Sequence, residues 1–333
     1  MWQTCVSMFK NKEIRKKIFF TLAMLFVYRL GSAIPVPGVD SNKLAASILD
    51  NSVLNMMNLL GGGALERLSI FAMGVSPYIT GSIIIQLLSM DVVPYLTELA
   101  KSGQTGRLKM DRITRYLGAI LAFVQALTLV YSFDVSYKVL ASSNLSTYLY
   151  TAVVMCAGTM FLLWIGDRIS SFGIGNGISI IIFAGIVSNL PAQFRQVYLV
   201  LVDPSNSSAM FSGILSFVLY ILMYLVIIVF VVVMQTATRK IPIQYTSSSL
   251  GRGKNDITFL PFKINSASVI PVIFAQAIMT APQIILSFVN HDMYQKLSGF
   301  LSLQKPIGLS IYAVLIILFT FFYTNLQVDP DKV

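Results

Sequence analysis

The sequence predicts an all-α polytopic membrane protein, and three observations carry that prediction. Over 333 residues the chain is 56% hydrophobic and only 11% charged, with a mean hydropathy of +0.75, whereas a soluble domain carries about 25% charged residues. Apolar runs close to the roughly 20 residues needed to cross a bilayer as a helix recur along the whole chain. Lys and Arg concentrate in alternate connections, as they do in chains threaded through a membrane.

Taken in order, the first span runs from Ile18 to Val36 behind the basic residues Lys10, Lys12, Arg15, Lys16 and Lys17. A cleaved signal is disfavoured, because Pro35-Val36-Pro37-Gly38 forms a stiff exit loop without a small-residue cleavage site. The next apolar stretch, Asn58 to Met90, is interrupted. Gly61, Gly62 and Gly63 remove helix preference, a short helix holding Glu66 and Arg67 is expected next, and Gly74-Val75-Ser76-Pro77 stops or kinks it. The second span then occupies Val75 to Met90. Interrupted backbone at membrane depth is tolerated only where protein buries it or water reaches it, so this stretch predicts a pore or cavity. Six further spans follow at about Tyr116 to Phe133, Thr147 to Ile165, Ile174 to Leu190, Phe211 to Gln235, Val269 to Val289 and Leu309 to Asn325.

Most of the 24 basic residues fall on one side if the N-terminus is cytoplasmic; the other side keeps Arg29, Lys43, Arg67, Lys138, Arg195, Lys296 and Lys305. The N-terminus is therefore expected inside. The net charge of +10 then faces the cytoplasm and anionic lipid. Two cytoplasmic loops, Asp91 to Arg115 and Arg239 to Lys263, are longer than a connection needs and suit an acidic partner or RNA phosphate.

Catalytic and nucleotide motifs do not survive context. Gly251-Arg252-Gly253-Lys254 lacks phosphate-loop spacing, Gly173 to Gly177 opens a membrane span, and His291, the only histidine, lies in an outer loop. Cys5 and Cys156 do not suggest a disulfide framework. Asn144-Leu145-Ser146 and Asn206-Ser207-Ser208 match a glycosylation pattern common by chance. Inside the spans the polar groups are mostly neutral (Thr80, Gln86, Gln125, Asn265, Gln276, Gln283), and their simplest role is interhelical hydrogen bonding. An ion-coupled secondary transporter with discontinuous helices would be expected to carry ionisable groups there, and an intramembrane enzyme a paired nucleophile and base. Neither a cofactor nor a metal is expected.

Gly173-Ile-Gly-Asn-Gly-Ile-Ser-Ile-Ile-Ile-Phe-Ala-Gly-Ile186 strongly resembles the fifth-helix signature of the SecY family, the channel subunits of the bacterial Sec translocon. Arg29-Leu-Gly-Ser-Ala-Ile-Pro-Val-Pro-Gly38, Gly61-Gly-Gly-Ala-Leu-Glu-Arg-Leu-Ser-Ile-Phe-Ala72, Pro77 to Leu88, Val269 to Ala275 and Phe321 to Leu326 extend the resemblance over essentially the whole chain. It implies an inverted-repeat bundle of ten helices, of which this chain supplies eight, so that helices nine and ten are expected to be missing.

The resemblance divides the chain into a basic N-terminus (1–17), a first half (18–190), an external linker (191–210) and an incomplete second half (211–333). It implies a pore ring at Val75, Ile79, Ile178, Ile182 and Ile273. A movable plug is implied at Leu60, Gly61, Gly62, Gly63, Ala64, Leu65, Glu66, Arg67, Leu68, Ser69, Ile70 and Phe71, with Glu66 and Arg67 in an outer aqueous funnel. A lateral gate would use Thr80, Gln125 and Asn265, and a motor or ribosome contact would use Arg107, Lys109, Arg239, Lys240, Arg252 and Lys254. The activity implied is passage of unfolded secretory polypeptides and sideways release of signal and membrane helices. The partners implied are SecE, SecG, the SecA ATPase, the ribosome, signal peptides with nascent proteins, and anionic lipids, at the bacterial plasma membrane.

Overall fold

A computed structural model describes residues 11–40, 58, 61–89, 92–140, 142–202, 207–243, 258–263, 265, 269–289, 297, 300–301 and 305–327. The elements named below are those among these residues. The helices are α1 (Lys12–Ala33), α2 (Ser76–Leu88), α3 (Pro94–Lys101), α4 (Gly103–Tyr137), α5 (Leu145–Phe172), α6 (Gly177–Leu201), α7 (Ser207–Thr236), α8 (Ile270–Val289) and α9 (Pro306–Gln327). One antiparallel hairpin pairs β1 (Thr238–Ile243) with β2 (Thr258–Lys263). Every expected span contains a helix, and five helices are long and apolar enough to cross a membrane: α4, α5, α6, α7 and α9.

The chain forms two compact units, Met1–Pro191 with Gln276–Tyr312, and Ala192–Ala275 with Ala313–Val333. In the first, α1 starts on an Asn11 cap whose Oδ1 accepts the Glu13 N–H at 3.0 Å. Helix α2 carries Pro77 in its first turn, where a missing N–H costs nothing. Its 13 residues reach about 20 Å at 1.5 Å each, short of the roughly 30 Å hydrocarbon layer. Helix α2 crosses α4 where Gly81 meets Gly118: a Cβ on Gly81 would lie 3.2 Å from the Gly118 nitrogen.

Two sequence expectations need correcting at helix ends. The stretch 91–115 was expected to be a loop, but it contains α3 and the first turns of α4. Lys, Arg, Leu and Met are good helix formers whatever their polarity, so hydropathy reports only the lipid-deep part of a 35-residue helix. The fifth span likewise continues as helix through Pro191 to Leu201, past the expected end at Leu190 and into the stretch expected to link the two halves.

The glycine signature between α5 and α6 has a direct steric cause. A Cβ on Gly177 would overlap the Gly166 carbonyl oxygen, and Gly175 takes a φ of +65°. The turn is then tied down by Ser170 Oγ accepting the Gly177 N–H at 2.8 Å and Thr21 Oγ1 accepting the Ile174 N–H at 3.2 Å. At the same end of α5, Asp167 forms a two-pronged ion pair with Arg115 of α4, with N···O distances of 2.6 and 3.1 Å. Both side chains are exposed, so this pair adds little stability.

In the second unit, α7 leans on the end of α6 through edge-on ring contacts of Phe194 with Tyr220 and Tyr224, and of Tyr198 with Phe217. The hairpin lies in the stretch Arg239 to Lys263, expected to be a loop, and it carries a proline in each strand, which sheets admit only at edges, strand starts or bulges. Its register explains the tolerance: Pro261 faces Lys240 and Pro242 faces Phe259. These pairs lie two residues apart and so belong to the same class of pair. In an antiparallel ladder the pairs alternate between those that exchange N–H···O bonds and those whose N–H groups point away from the partner, and proline costs no ladder bond in the second kind.

Gly177→Ala is expected to destabilise the first unit by about 1–3 kcal/mol through backbone overlap, read as a lowered melting temperature of the detergent-solubilised protein.

Candidate functional site

Residues 61–75 form consecutive turns and contain no helix, so the short helix expected around Glu66 and Arg67 is not present. The cause is local. Gly62, Gly63 and Gly74 take φ of +71°, +79° and +57°, and Leu68 takes +40°, each reversing the chain where a helix would continue. Turn hydrogen bonds replace the helical ladder: Leu68 N–H to the Leu65 carbonyl, Ser69 to Ala64, Ala72 to Ser69 and Gly74 to Phe71, at 2.8–3.0 Å. The exit loop of α1 supplies an edge, with Val36 N–H donating to the Leu68 carbonyl at 3.0 Å and Ile70 N–H to the Ile34 carbonyl at 3.1 Å. The left-handed Leu68 is held by that contact and by its own burial.

This segment is the centre of the first unit. Leu65, Leu68, Ala72 and Met73 share one apolar core with Val36, with Ala126, Val130 and Phe133 of α4, and with Ala152 and Met155 of α5. Ala64, Phe71 and Val75 share a second core with Tyr28 of α1, with Leu162, Leu163, Ile165 and Ile169 of α5, and with Ile181 of α6. Close approach is made possible by glycines on the surrounding helices. A Cβ on Gly31 would overlap the Phe71 ring, and one on Gly158 would overlap the Ile70 carbonyl.

The Phe71 ring stacks between Tyr28 and Phe161, with centroids 6.3 and 6.1 Å away. The stack continues to Trp164 at 5.5 Å and ends under the Arg168 guanidinium, 5.4 Å from the Trp164 ring and 5.8 Å from that of Phe172. Glu66 is half-buried and joined to Asn58, whose Oδ1 accepts the Glu66 N–H at 3.0 Å, while Arg67 is exposed.

Of the expected pore-ring residues, Val75, Ile79, Ile178 and Ile182 all lie in or against the second core, next to Ala64 and Phe71. Ile273 is half-buried in α8 and lies in the second unit. Thr80 donates to the Ser76 carbonyl of its own helix at 3.1 Å, and Gln125 is half-buried on α4. Asn265 donates to Gln235 Oε1 at 3.2 Å within the second unit. Arg107 and Lys109 are exposed on the first turns of α4, and Arg239 and Lys240 are exposed on β1. Leu60, Arg252 and Lys254 lie outside the described residues.

Residues that sequence reasoning missed are those that hold the segment from α1. Tyr28 Oη donates to the Gly61 carbonyl at 3.2 Å, and Arg29 Nη1 to the Gly62 carbonyl at 2.6 Å. The available signal was a single arginine in the otherwise uncharged first span.

Replacing Gly158 with valine is expected to displace Ile70 and loosen residues 61–75, because the new side chain occupies the Ile70 carbonyl position. Faster cleavage or cysteine labelling within 61–71, relative to unmodified protein, measures this.

A family model described as SecY matches residues 69–333. The protein translocase subunit SecY of Staphylococcus epidermidis is 44% identical over 337 aligned residues, which cover 100% of this chain and 78% of that protein. Among solved structures, a protein-conducting channel aligns with a TM-score of 0.63 and 18% identity, covering 92% of this chain and 70% of that one. A second aligns with a TM-score of 0.60 and 19% identity, covering 82% and 58%. In that SecY protein the plug domain stabilises the closed state of the translocation channel and maintains a membrane seal. A matching family model over most of the chain and a near-half-identical relative over all of it agree with the broken second span and its helical seat: the chain belongs to the SecY family.

Proposed function

We propose that this chain is the conducting subunit of a protein translocase, passing unfolded polypeptides across the membrane and releasing apolar helices sideways into lipid. The observation that carries this reading is the non-helical segment 61–75, buried at the centre of two apolar cores. A transmembrane bundle built for stability alone would place a continuous helix there, since a helix satisfies its own backbone.

In this reading Gly61 to Phe71 is the described part of the plug. Val75, Ile79, Ile178, Ile182 and Ile273 form a branched aliphatic ring that excludes ions by dewetting. The clustering of four of them beside Ala64 and Phe71 supports the pairing of ring with plug. Thr80, Gln125 and Asn265 serve a lateral gate, where an apolar signal helix shifts the closed and open populations by binding the open state better. Driving force comes from outside the chain, from the SecA ATPase or the ribosome, docked on the basic residues Arg107, Lys109, Arg239, Lys240, Arg252 and Lys254. SecE and SecG complete the complex, anionic lipid lies against the basic N-terminus, and the N-terminus is cytoplasmic at the bacterial plasma membrane. The channel is organised as a first half (18–190) and a second half (211–333).

Replacing Ile79, Ile182 and Ile273 together with serine is expected to let the resting channel leak ions. Unchanged conductance of proteoliposomes carrying the whole complex removes the ring assignment. Reversing Arg239, Lys240, Arg252 and Lys254 to glutamate is expected to weaken SecA or ribosome binding by roughly tenfold or more at low salt, with the difference shrinking as salt rises. Equal affinity at low salt removes the docking role.

A further inference from the structure

We propose that Arg29 is a positioning residue that latches the 61–71 segment in its seat, so that the resting seal depends on a side chain of α1 as well as on the pore ring. The inference rests on the plug reading above.

The geometry begins with the glycine turn. Left-handed φ at Gly62 and Gly63, +71° and +79°, turns two successive carbonyls out of the segment and toward α1. Tyr28 takes the first at 3.2 Å and Arg29 the second at 2.6 Å. The segment also closes on α6, where a Cβ on Gly62 would lie 3.1 Å from the Gly185 Cα and 2.7 Å from the Tyr28 hydroxyl. Only a residue without a side chain fits between the latch and α6.

The chemistry of the bond suits a device that must both hold and release. A hydrogen bond from a charged donor is stronger than one between neutral groups. Its acceptor is a neutral peptide carbonyl, so that release separates no ion pair and strands no carboxylate. The latch opens when the segment moves. Ser32 Oγ donates to the Arg29 carbonyl at 2.8 Å, and Gly31, on the Tyr28 face of α1, receives the Phe71 ring. The latch and the aromatic seat thus share one turn of one helix.

The test compares resting potassium efflux from proteoliposomes carrying the whole complex with unmodified protein, Arg29→Lys, Arg29→Gln, Arg29→Ala, and a deletion of residues 61–71. Each is measured before and after adding a synthetic signal peptide. The latch predicts resting efflux rising in the order unmodified, Lys, Gln, Ala, with Ala at least roughly tenfold above unmodified and the deletion as the ceiling. The ratio of stimulated to resting efflux should fall because the resting level rises. A generally damaged protein would instead lose the stimulated level. If the alanine variant does not accumulate, the Lys and Gln variants decide the matter, because Lys keeps a charged donor and Gln only a neutral one. Resting efflux at the unmodified level in all three substitutions, with a leaky deletion, overturns the latch and keeps the plug. A tight deletion overturns the plug reading itself. Equal leak from Lys and Gln overturns the role of the charge.

Discussion

The structure depends on one constraint: the backbone of residues 61–75 has no helix to satisfy its N–H and C=O groups, and lipid offers no partners. Everything around the segment answers that need. Its turns bond internally, the exit loop of α1 supplies two further bonds, and Tyr28 and Arg29 reach the carbonyls that the glycine turn exposes. The two apolar cores then enclose the whole. A segment held largely by side chains and single bonds is easier to displace as a unit than a continuous helix, whose ladder would have to be broken.

The helices are shaped to this segment more than to one another. Helix α5 presents Gly158 to Ile70 and its aromatic face to Phe71, and it meets α6 through the backbone contact of Gly166 with Gly177. At its C-terminal end α4 closes on a left-handed Lys138, with the Asp134 carboxylate accepting the Leu140 N–H at 3.1 Å and the Tyr148 hydroxyl. That end is stitched to the α1 exit loop, where Asp40 N–H donates to the Val139 carbonyl at 2.9 Å. Helix α7 differs: large apolar side chains along its length are exposed, as expected of a helix whose surroundings are lipid or another apolar chain.

The existence and order of the spans were legible because a bilayer demands length and apolarity, and both can be counted. The interruption at Gly61 to Pro77 was legible for the same reason, since triple glycine and proline stand out in an apolar run. What replaced the helix was not. A left-handed Leu68 is set by the exit loop bonded to it, and no local preference announces it. The continuation of α4 to Gly103 and of α6 past Pro191 escaped because hydropathy tracks depth in lipid, while helix formation follows backbone and propensity. Arg29 was visible as a charge, but its acceptor is a carbonyl that only the folded turn presents. The ring residues were named from resemblance, because apolar neighbours at helical spacing are indistinguishable from ordinary core.

The seat of residues 61–75 also sets an order of construction. Gly62 packs on Gly185 and Ser188, and Gly63 on Asn189, so a segment made early in synthesis waits for residues more than a hundred positions later. Until α6 arrives, the glycine turn is held from α1 and by the Gly63 N–H donating to the Asn58 carbonyl at 2.9 Å, and the first helices entering the membrane surround an unfinished centre. The contact that closes over the glycine turn is made by the helix that carries the glycine signature. The seat is therefore complete only once that helix is in place.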